Sequence, residues 1–220
     1  MRRKHARRII TISLVVLLCA FAVYAGTTGA KNCGTGADVV ITGGKVWTNP
    51  SNACFSGNFS VAYPIAVSGG VSDYLALTNF GFAVPVGSTI VGVQVSISRQ
   101  GGPINPSTTV DNHVFLTKDG ATVTGTDHLS VLVWPYGSYV VQNYGSTTDL
   151  WGATLAPADV NAATFGVFIS ASNSSGSNVA EAAVSAFPTI TVTYTSGTTS
   201  SAPSIIGTMT RRSSLWTLLH

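Results

Sequence analysis

Histidines and aspartates are the residues of this sequence whose types could carry out acid–base chemistry. His113 lies two positions after Asp111, and His128 directly follows Asp127. An imidazole beside a carboxylate forms part of a nucleophilic triad, but a triad is assembled by folding, so closeness in sequence does not establish one. We therefore expect both histidines to be surface residues, and we predict no catalytic residues.

The motifs of common enzyme families are missing from the sequence. It contains no Gly-x-Ser-x-Gly, His-Glu-x-x-His or Gly-x-x-x-x-Gly-Lys pattern. A glycosidase needs two carboxylates facing each other across a cleft. Glu181 is the only glutamate, and the aspartates mostly lie in turn contexts such as Asp119-Gly120. The sequence therefore predicts a protein that is not an enzyme, with a glycan lyase or hydrolase as the enzyme alternative.

Four aromatic residues in one loop-rich stretch are the candidates for ligand binding: Trp134, Tyr136, Tyr139 and Tyr144. Exposed rings of this kind stack on sugars in carbohydrate-binding modules, whereas buried rings would fill the rim of the core. The sequence fits both interpretations. Full burial of Trp134 would argue against a sugar-binding platform.

The cysteines predict a disulfide and no metal centre. Cys33 and Cys54 lie in the part of the chain that we expect to be exported, where an oxidising compartment favours pairing. Their bridge would close a loop of about 20 residues, which the chain-entropy description values at roughly 3 kcal/mol. Zinc is disfavoured because no histidines lie near these two cysteines.

No cofactor is predicted, and a structural calcium ion is the one alternative. Calcium binds carboxylate and carbonyl oxygens of loops, and the aspartates lie in loops. The sequence has no EF-hand spacing that would support such a site.

The composition indicates an extracellular β-protein. Only 9% of the residues are charged, against about 25% in average proteins. The chain is 45% hydrophobic and contains 23 glycines, so it is not composed like a disordered segment. Few charges with many glycine and β-branched residues are typical of an extracellular sandwich or barrel.

The net charge of +3 comes from the first eight residues, which hold five of the eleven basic residues. The rest of the chain has six basic and eight acidic residues, a net charge of −2. A nucleic-acid partner is therefore excluded, because no basic face could neutralise the phosphates.

The N-terminus has the pattern of an export signal. After the basic residues 1–8, an uncharged apolar run extends from Ile9 to Tyr24, and Val23 and Ala25 are the small residues that precede a cut before Gly26. We predict a signal helix that is removed, with an uncleaved membrane anchor as the alternative. Lipidation at Cys19 is a third interpretation, weakened by Leu18 in front of it.

The rest of the chain reads as short strands separated by turn residues. In the clearest strand, Ile90 to Ser98, apolar and polar residues alternate, as they do in antiparallel sheets with one solvated face. Pro157 to Ala163 is the only predicted helix. The fold class is therefore all-β, an antiparallel two-sheet β-sandwich that is jelly-roll-like. The other predicted strands are Asp38–Ile41, Phe59–Val67 at an edge, Tyr74–Leu77, His113–Lys118, Ala121–Thr124, Leu129–Val133, Tyr139–Gln142, Phe165–Ala171 and Ile190–Tyr194.

Four regions follow from these patterns. Residues 1–25 are the signal peptide or anchor, 26–36 a glycine-rich lead-in, 37–195 the β-sandwich domain, and 196–220 a Ser/Thr-rich linker with a C-terminal tail. The tail contains an apolar cluster from Leu215 to Leu219. It is either a short docking or membrane-proximal peptide or a disordered end.

Two stretches together resemble a known type of sequence. The first runs from Tyr74 to Phe82 and continues through Val84-Pro85 to Gly87–Val93; the second comprises Tyr144-Gly145, Asp149–Gly152, Pro157–Asn161 and Phe165–Val167. They resemble an uncharacterised β-sandwich segment that recurs in phage-associated and bacterial surface or secreted proteins. The resemblance spans roughly residues 36–194 and implies the fold, without catalytic residues.

The leading functional hypothesis is an exported, secreted or cell-surface protein that serves as a non-catalytic structural or adhesive module. The alternative is a carbohydrate-binding module that uses the four aromatic residues. A glycan or another surface protein is the expected partner, and the membrane is contacted only through the N-terminal segment. Self-assembly through exposed strand edges is a further hypothesis.

Overall fold

The computed structural model describes residues 23–67, 69–185 and 187–197. Of the predicted signal helix, residues 1–22 lie outside the described residues, and Val23–Ala25 are extended and pair with another strand instead of being helical. Of the predicted linker and tail, residues 198–220 lie outside the described residues, and Ser196-Gly197 end a strand. The described strands are β1 (Val23–Thr27), β2 (Lys31–Asn32), β3 (Thr35–Val39), β4 (Phe59–Ile65), β5 (Tyr74–Thr78), β6 (Thr89–Gly102), β7 (Thr109–Thr117), β8 (Val140–Ser146), β9 (Gly166–Asn173), β10 (Ala180–Ser185) and β11 (Thr189–Gly197). Helix α1 spans Pro157–Asn161, and a 3₁₀ turn spans Pro50–Cys54.

These strands form two antiparallel sheets. The larger sheet has seven strands in the path β1-β11-β6-β10-β4, with β2 paired to β11 and β8 paired to β6. The smaller sheet has four strands in the order β3-β5-β9-β7. The prediction of an antiparallel all-β protein with two sheets and almost no helix is confirmed.

Strand β6 is the centre of the larger sheet, and its sequence explains why. Val93, Val95 and Ile97 are fully buried, while the intervening Gln94 and Ser96 are partly exposed. A period of two places the apolar side chains on one face. Strand β8 pairs with one side of β6, and β11 and β10 pair in turn with the other side.

The chain passes repeatedly from one sheet to the other. From β2 to β10 each successive strand belongs to the opposite sheet. One cluster of buried apolar residues contains side chains of both sheets, including Val95 of β6 and Val114 of β7. The alternating faces of the strands therefore supply a shared core.

Two predicted strands are wrong, and three strands, β1, β2 and β10, were not predicted. Ala121–Thr124 and Leu129–Val133 lie in an irregular segment that runs along the free edge of β7, joined to it by isolated backbone hydrogen bonds such as Thr124 N to Leu116 O (2.7 Å) and His128 N to Val114 O (2.9 Å). Strands β1 and β2 lie where a signal segment and a glycine-rich lead-in were predicted, and the alanine-rich sequence of β10 has little intrinsic preference for a strand.

The predicted connector helix is confirmed in shortened form as α1. Pro157 occupies its first turn, and the Asp159 carboxylate accepts a hydrogen bond from the Ala156 N–H (2.8 Å). This carboxylate satisfies a backbone donor that the helix itself leaves unpaired. Phe59–Val67 was predicted as an edge strand, and β4 does lie at the end of the larger sheet.

Candidate functional site

The polar centre of the structure is the carboxylate of Asp111, on the inward face of β7. Its side chain is fully buried and forms an ion pair with the guanidinium of Arg99. It also accepts hydrogen bonds from the Trp134 Nε1–H (2.7 Å), the Tyr144 hydroxyl (3.0 Å) and the Ser130 N–H (2.7 Å). Four donors therefore surround one buried acid, which offsets the cost of removing it from water.

Arg99 is the cationic half of this cluster and is equally enclosed. Besides Asp111, its guanidinium donates to Gln142 Oε1 (3.1 Å) and, at longer range, to the Leu132 carbonyl (3.4 Å). The guanidinium carbon lies 5.4 Å from the ring centre of Trp134 and 5.9 Å from that of Tyr144. These distances are within the range of cation–π attraction.

The strands position this cluster through simple alternation. Arg99 occupies the next inward position of β6 after Ile97, and it lies across from Val140 in the neighbouring β8. On β8 the inward positions include Gln142 and Tyr144, so the neighbouring strands β6 and β8 of the larger sheet direct polar groups towards Asp111 of β7 in the smaller sheet. Arg99 was not predicted as a site residue, although it continues the buried alternation of Val93, Val95 and Ile97 and is the only charged residue in that series.

A small pocket of about 100 Å³ opens beside Arg99. Its other walls are mainly apolar, and the lining residues are Arg99, Leu132, Val133, Pro135, Val140, Val141 and Gln142. The guanidinium is already neutralised by Asp111, and none of these side chains is a nucleophile or an acid. The pocket is therefore suited to a small apolar group.

Burial and then the adjacent Asp111 carboxylate raise the pKa of the Tyr144 phenol well above its ordinary value, although Arg99 acts in the opposite direction. A group whose pKa is higher in the folded than in the unfolded protein contributes stability at pH values below its unfolded pKa. That stability is lost as the pH rises above about 10, because the unfolded chain then releases its proton first.

We therefore expect Tyr144→Phe to flatten the alkaline decline of stability. Urea unfolding of wild type and variant at pH 8 to 11 measures this slope. The variant loses the hydroxyl bond to Asp111 at every pH, so its stability is lower throughout, but it has no phenol to deprotonate. Equal slopes in the two proteins would contradict the assignment.

The structure separates the four predicted ligand-binding aromatics into two kinds. Trp134 is 0% exposed and Tyr144 is 3% exposed, and both serve the Asp111 cluster. Neither can offer a ring face to a sugar in solution, which removes half of the platform on which the carbohydrate-binding alternative relied. Tyr136 and Tyr139 are exposed, at 48% and 36%, and the Tyr139 ring lies 6.3 Å from that of Phe59.

Both histidines form pairs with acids, though not with the acids nearest in sequence. His113 Nδ1 lies 2.6 Å from Asp127, and His128 Nε2 lies 2.7 Å from Asp149. The second nitrogen of His128 faces the Thr126 carbonyl (3.0 Å). Within the described part of the chain, no serine or cysteine side chain forms a hydrogen bond with either imidazole.

The His128–Asp149 pair belongs to the packing around Trp151. The His128 ring stacks on the buried Trp151 indole, with ring centres 4.0 Å apart. The Asp149 carboxylate accepts a hydrogen bond from the backbone N–H of Trp151 (2.7 Å). Burial raises the pKa of Asp149, but the hydrogen bonds from Trp151 and His128 outweigh this effect and hold the pKa below its ordinary value. Gly145, with a positive φ of 64°, leaves the space that the indole occupies. Trp151 is thus a core residue.

The predicted disulfide is confirmed, since Cys33 and Cys54 are bonded, with their Cα atoms 5.2 Å apart. It ties the segment between β2 and β3 to the end of the 3₁₀ turn. Both cysteines are buried, and the neighbouring Phe187 N–H donates to the Ala53 carbonyl (3.1 Å). The bridge therefore joins two early segments of the domain, and backbone hydrogen bonds, including Cys33 N–H to the Pro188 carbonyl (3.2 Å), connect them to the last loop.

Across residues 23–67, 69–185 and 187–197, no three His, Cys, Asp or Glu side chains lie together as a metal site would require. Asp38 and Asp73 are near each other. Burial raises the pKa of the Asp38 carboxyl, the Trp47 N–H lowers it, and Asp73 raises it further. A structural calcium ion stays a prediction.

The described helices are too short to cross a bilayer. The fold and the site together define a disulfide-bonded protein of two antiparallel sheets with an enclosed ion pair. Comparison with protein-family models, with curated proteins and with solved structures finds no match.

Proposed function

We propose that this chain is an exported, non-catalytic β-sandwich of jelly-roll-like type that acts as a surface-structural or adhesive module. The repeated passage of the chain between the two sheets supports the sandwich, because jelly-roll folds connect their sheets in this way. The disulfide and the N-terminal signal pattern support export, since disulfides persist in oxidising compartments.

An exposed apolar surface around β8 is the observation that carries the adhesive role. We call it the β8 surface, and its six residues are Val131, Leu132, Val133, Tyr139, Val140 and Val141. Four of these residues, Leu132, Val133, Val140 and Val141, are contiguous because they line the pocket beside Arg99, and Val131 and Tyr139 are their neighbours in the chain. Together the six side chains expose on the order of 600 Å², at the upper end of the largest apolar patches on monomeric proteins. Such patches mark interaction sites.

The engagement of the polar groups supports a role without catalysis. Asp111 and Arg99 are enclosed and satisfied by each other, and His128 uses both ring nitrogens in structural contacts. A general base must reach a substrate proton, and a nucleophile needs an activating partner. The rigid cluster instead supports the loop that bears the β8 surface, because Ser130 and Leu132 are bonded to it.

We expect Val141→Lys to reduce retention of the protein on a methyl-terminated surface to less than about half, because it places a charge within the apolar patch. The full chain recovered after export is applied to a quartz crystal microbalance, and the mass that resists washing is measured. Val86→Lys is the matched control. Val86 is 98% exposed in the turn before β6 and lies outside the β8 surface.

Three outcomes would contradict this proposal. Equal losses for the two lysine variants would show that adhesion does not depend on the β8 surface. Recovery of the chain only from the cytoplasm with free thiols would contradict export. Binding to a glycan-coated surface that Tyr139→Ala abolishes would favour the carbohydrate-binding alternative.

A further inference from the structure

We propose that β8 pairs antiparallel with β8 of a second copy of this chain, joining two seven-stranded sheets edge to edge. The inference rests on the proposed function, because it assigns an occupant to the β8 surface. It makes the structural module a self-associating one.

The first observation is that β8 is an uncovered sheet edge. It is paired with β6 alone, and within the described residues its backbone from Val140 to Gly145 has no further backbone hydrogen bond. The end strand of the other sheet, β7, is treated differently. The segment from Thr124 to Trp134 runs along it and bonds to it at three points.

The second observation is the lack of the usual protection. Natural proteins guard free edges with lysine, proline or an inward-pointing charge. Strand β8 has none of these, and its exposed side chains at Val140 and Val141 are apolar and β-branched. A row of unpaired N–H and C=O groups selects an extended strand as its partner.

The third observation is charge. Residues 129–148 contain no Asp, Glu, Lys or Arg. Two identical surfaces repel each other where they carry net charge, and the six residues of the β8 surface carry none. Of the charged groups beside it, Arg99 is paired with Asp111, and Glu181 lies near Tyr139 at one end. A strongly charged partner would lose hydration at this surface without a compensating ion pair.

A two-fold axis through β8 satisfies the geometry of such a contact. Antiparallel pairing of a strand with itself is isologous, so each donor on one edge meets the equivalent acceptor on the other. The surface also contains an exposed apolar side chain and a pocket of the kind that such a side chain fills. Val131, which is 83% exposed, precedes Leu132 in the chain, and Leu132 and Val140 line the pocket. The six exposed apolar residues and the strand edge together offer an area of the same order as the roughly 800 Å² per partner of a standard interface.

Sedimentation equilibrium of the full chain, recovered after export, tests this proposal over a hundredfold range of concentration. We expect a monomer–dimer equilibrium in the wild type. Val141→Lys should raise the dissociation constant by about tenfold or more, because each copy then brings a charged, hydrated side chain into an uncharged interface. Val86→Lys should dimerise as the wild type does. Circular dichroism and thermal unfolding confirm that both variants are folded.

Hydrogen exchange of the β8 amides provides an independent measurement. We expect their protection to increase with protein concentration in the wild type and in Val86→Lys, and to be independent of concentration in Val141→Lys. A protein that is monomeric at every concentration, or equal association of the two variants, overturns the proposal. So does β8 protection that ignores concentration but is removed by Trp216→Asp, because the C-terminal tail would then be the occupant. A monomer that still adheres overturns the pairing alone and leaves the proposed function standing.

Discussion

Replacing Asp111 with alanine is expected to lower the free energy of unfolding by about 3–5 kcal/mol, the cost of removing one partner of a buried ion pair. The substitution leaves the guanidinium of Arg99 enclosed without its counter-charge. It also removes the hydrogen-bond acceptor of the Trp134 Nε1–H, the Tyr144 hydroxyl and the Ser130 N–H. The Trp134 and Tyr144 donors are buried and the Ser130 N–H is partly buried, and an unmet buried donor costs about 1–3 kcal/mol.

Guanidinium chloride unfolding of wild type and Asp111→Ala, monitored by circular dichroism, measures this loss. Asp159→Ala is the matched control, because it removes an aspartate from a partly exposed ion pair with Lys118 (3.0 Å). Solvent screens that pair, so its loss together with the helix contact should cost only about 1 kcal/mol. A loss for Asp111→Ala that is no larger than for the control would show that the cluster is not sealed from water.

The double variant Arg99→Met with Asp111→Leu separates two explanations of that loss. Replacing both charged partners with apolar side chains of similar size is often neutral or stabilising. We therefore expect the double variant to recover most of the stability that Asp111→Ala loses. The recovery is incomplete because the Trp134, Tyr144 and Ser130 donors still lack the Asp111 acceptor. If it is no more stable than the single variant, the fold depends on the acceptor itself and not on the pairing of charges.

The strands that could be predicted are those whose burial is local in the sequence. The alternation in β6 identifies a buried face at Val93, Val95 and Ile97 without knowledge of any partner strand. Strand β10 shows where this fails. It is buried because β4 and β6 flank it on both sides, and this pairing joins residues far apart in the chain. Tertiary burial thus overrides a weak local preference.

The polar cluster could be predicted only in part, for the same reason. Asp111 was noticed because His113 lies beside it, yet the two residues point to opposite faces of the sheet near a bulge in β7. Asp111 faces inward to Arg99, whereas His113 faces outward to Asp127. Sequence proximity therefore indicated the wrong partner.

The aromatic stretch shows what a ring's type cannot reveal. Trp134 and Tyr144 carry polar hydrogens that the buried Asp111 needs, so they are drawn into the core. Tyr136 and Tyr139 are the same residue type as Tyr144 and lie in the same stretch of the chain, but their rings are exposed to solvent. The apolar residues near these two tyrosines in the chain form the β8 surface. They are exposed because β8 is paired with β6 on one side only.

The predicted disulfide has the second largest expected effect on stability. A separation of 21 residues gives a loop whose closure removes roughly 3 kcal/mol of conformational entropy from the unfolded chain. We expect Cys33→Ala/Cys54→Ala to lose stability of this order, plus a smaller loss from the space left in the core. The first segment of the domain depends on the bridge most, because β2 is only two residues long and pairs with β11 alone.

Unfolding in urea, with and without reductant, distinguishes the bridge from the packing of its sulfur atoms. Reduction should destabilise the wild type by roughly 3 kcal/mol and leave the double alanine variant unchanged. Hydrogen exchange should show the largest gain in mobility near Cys33 and at the Pro50–Cys54 turn. If reductant leaves the wild type as stable as before, the sheets alone hold this segment, and the bridge constrains a part of the chain that is already ordered.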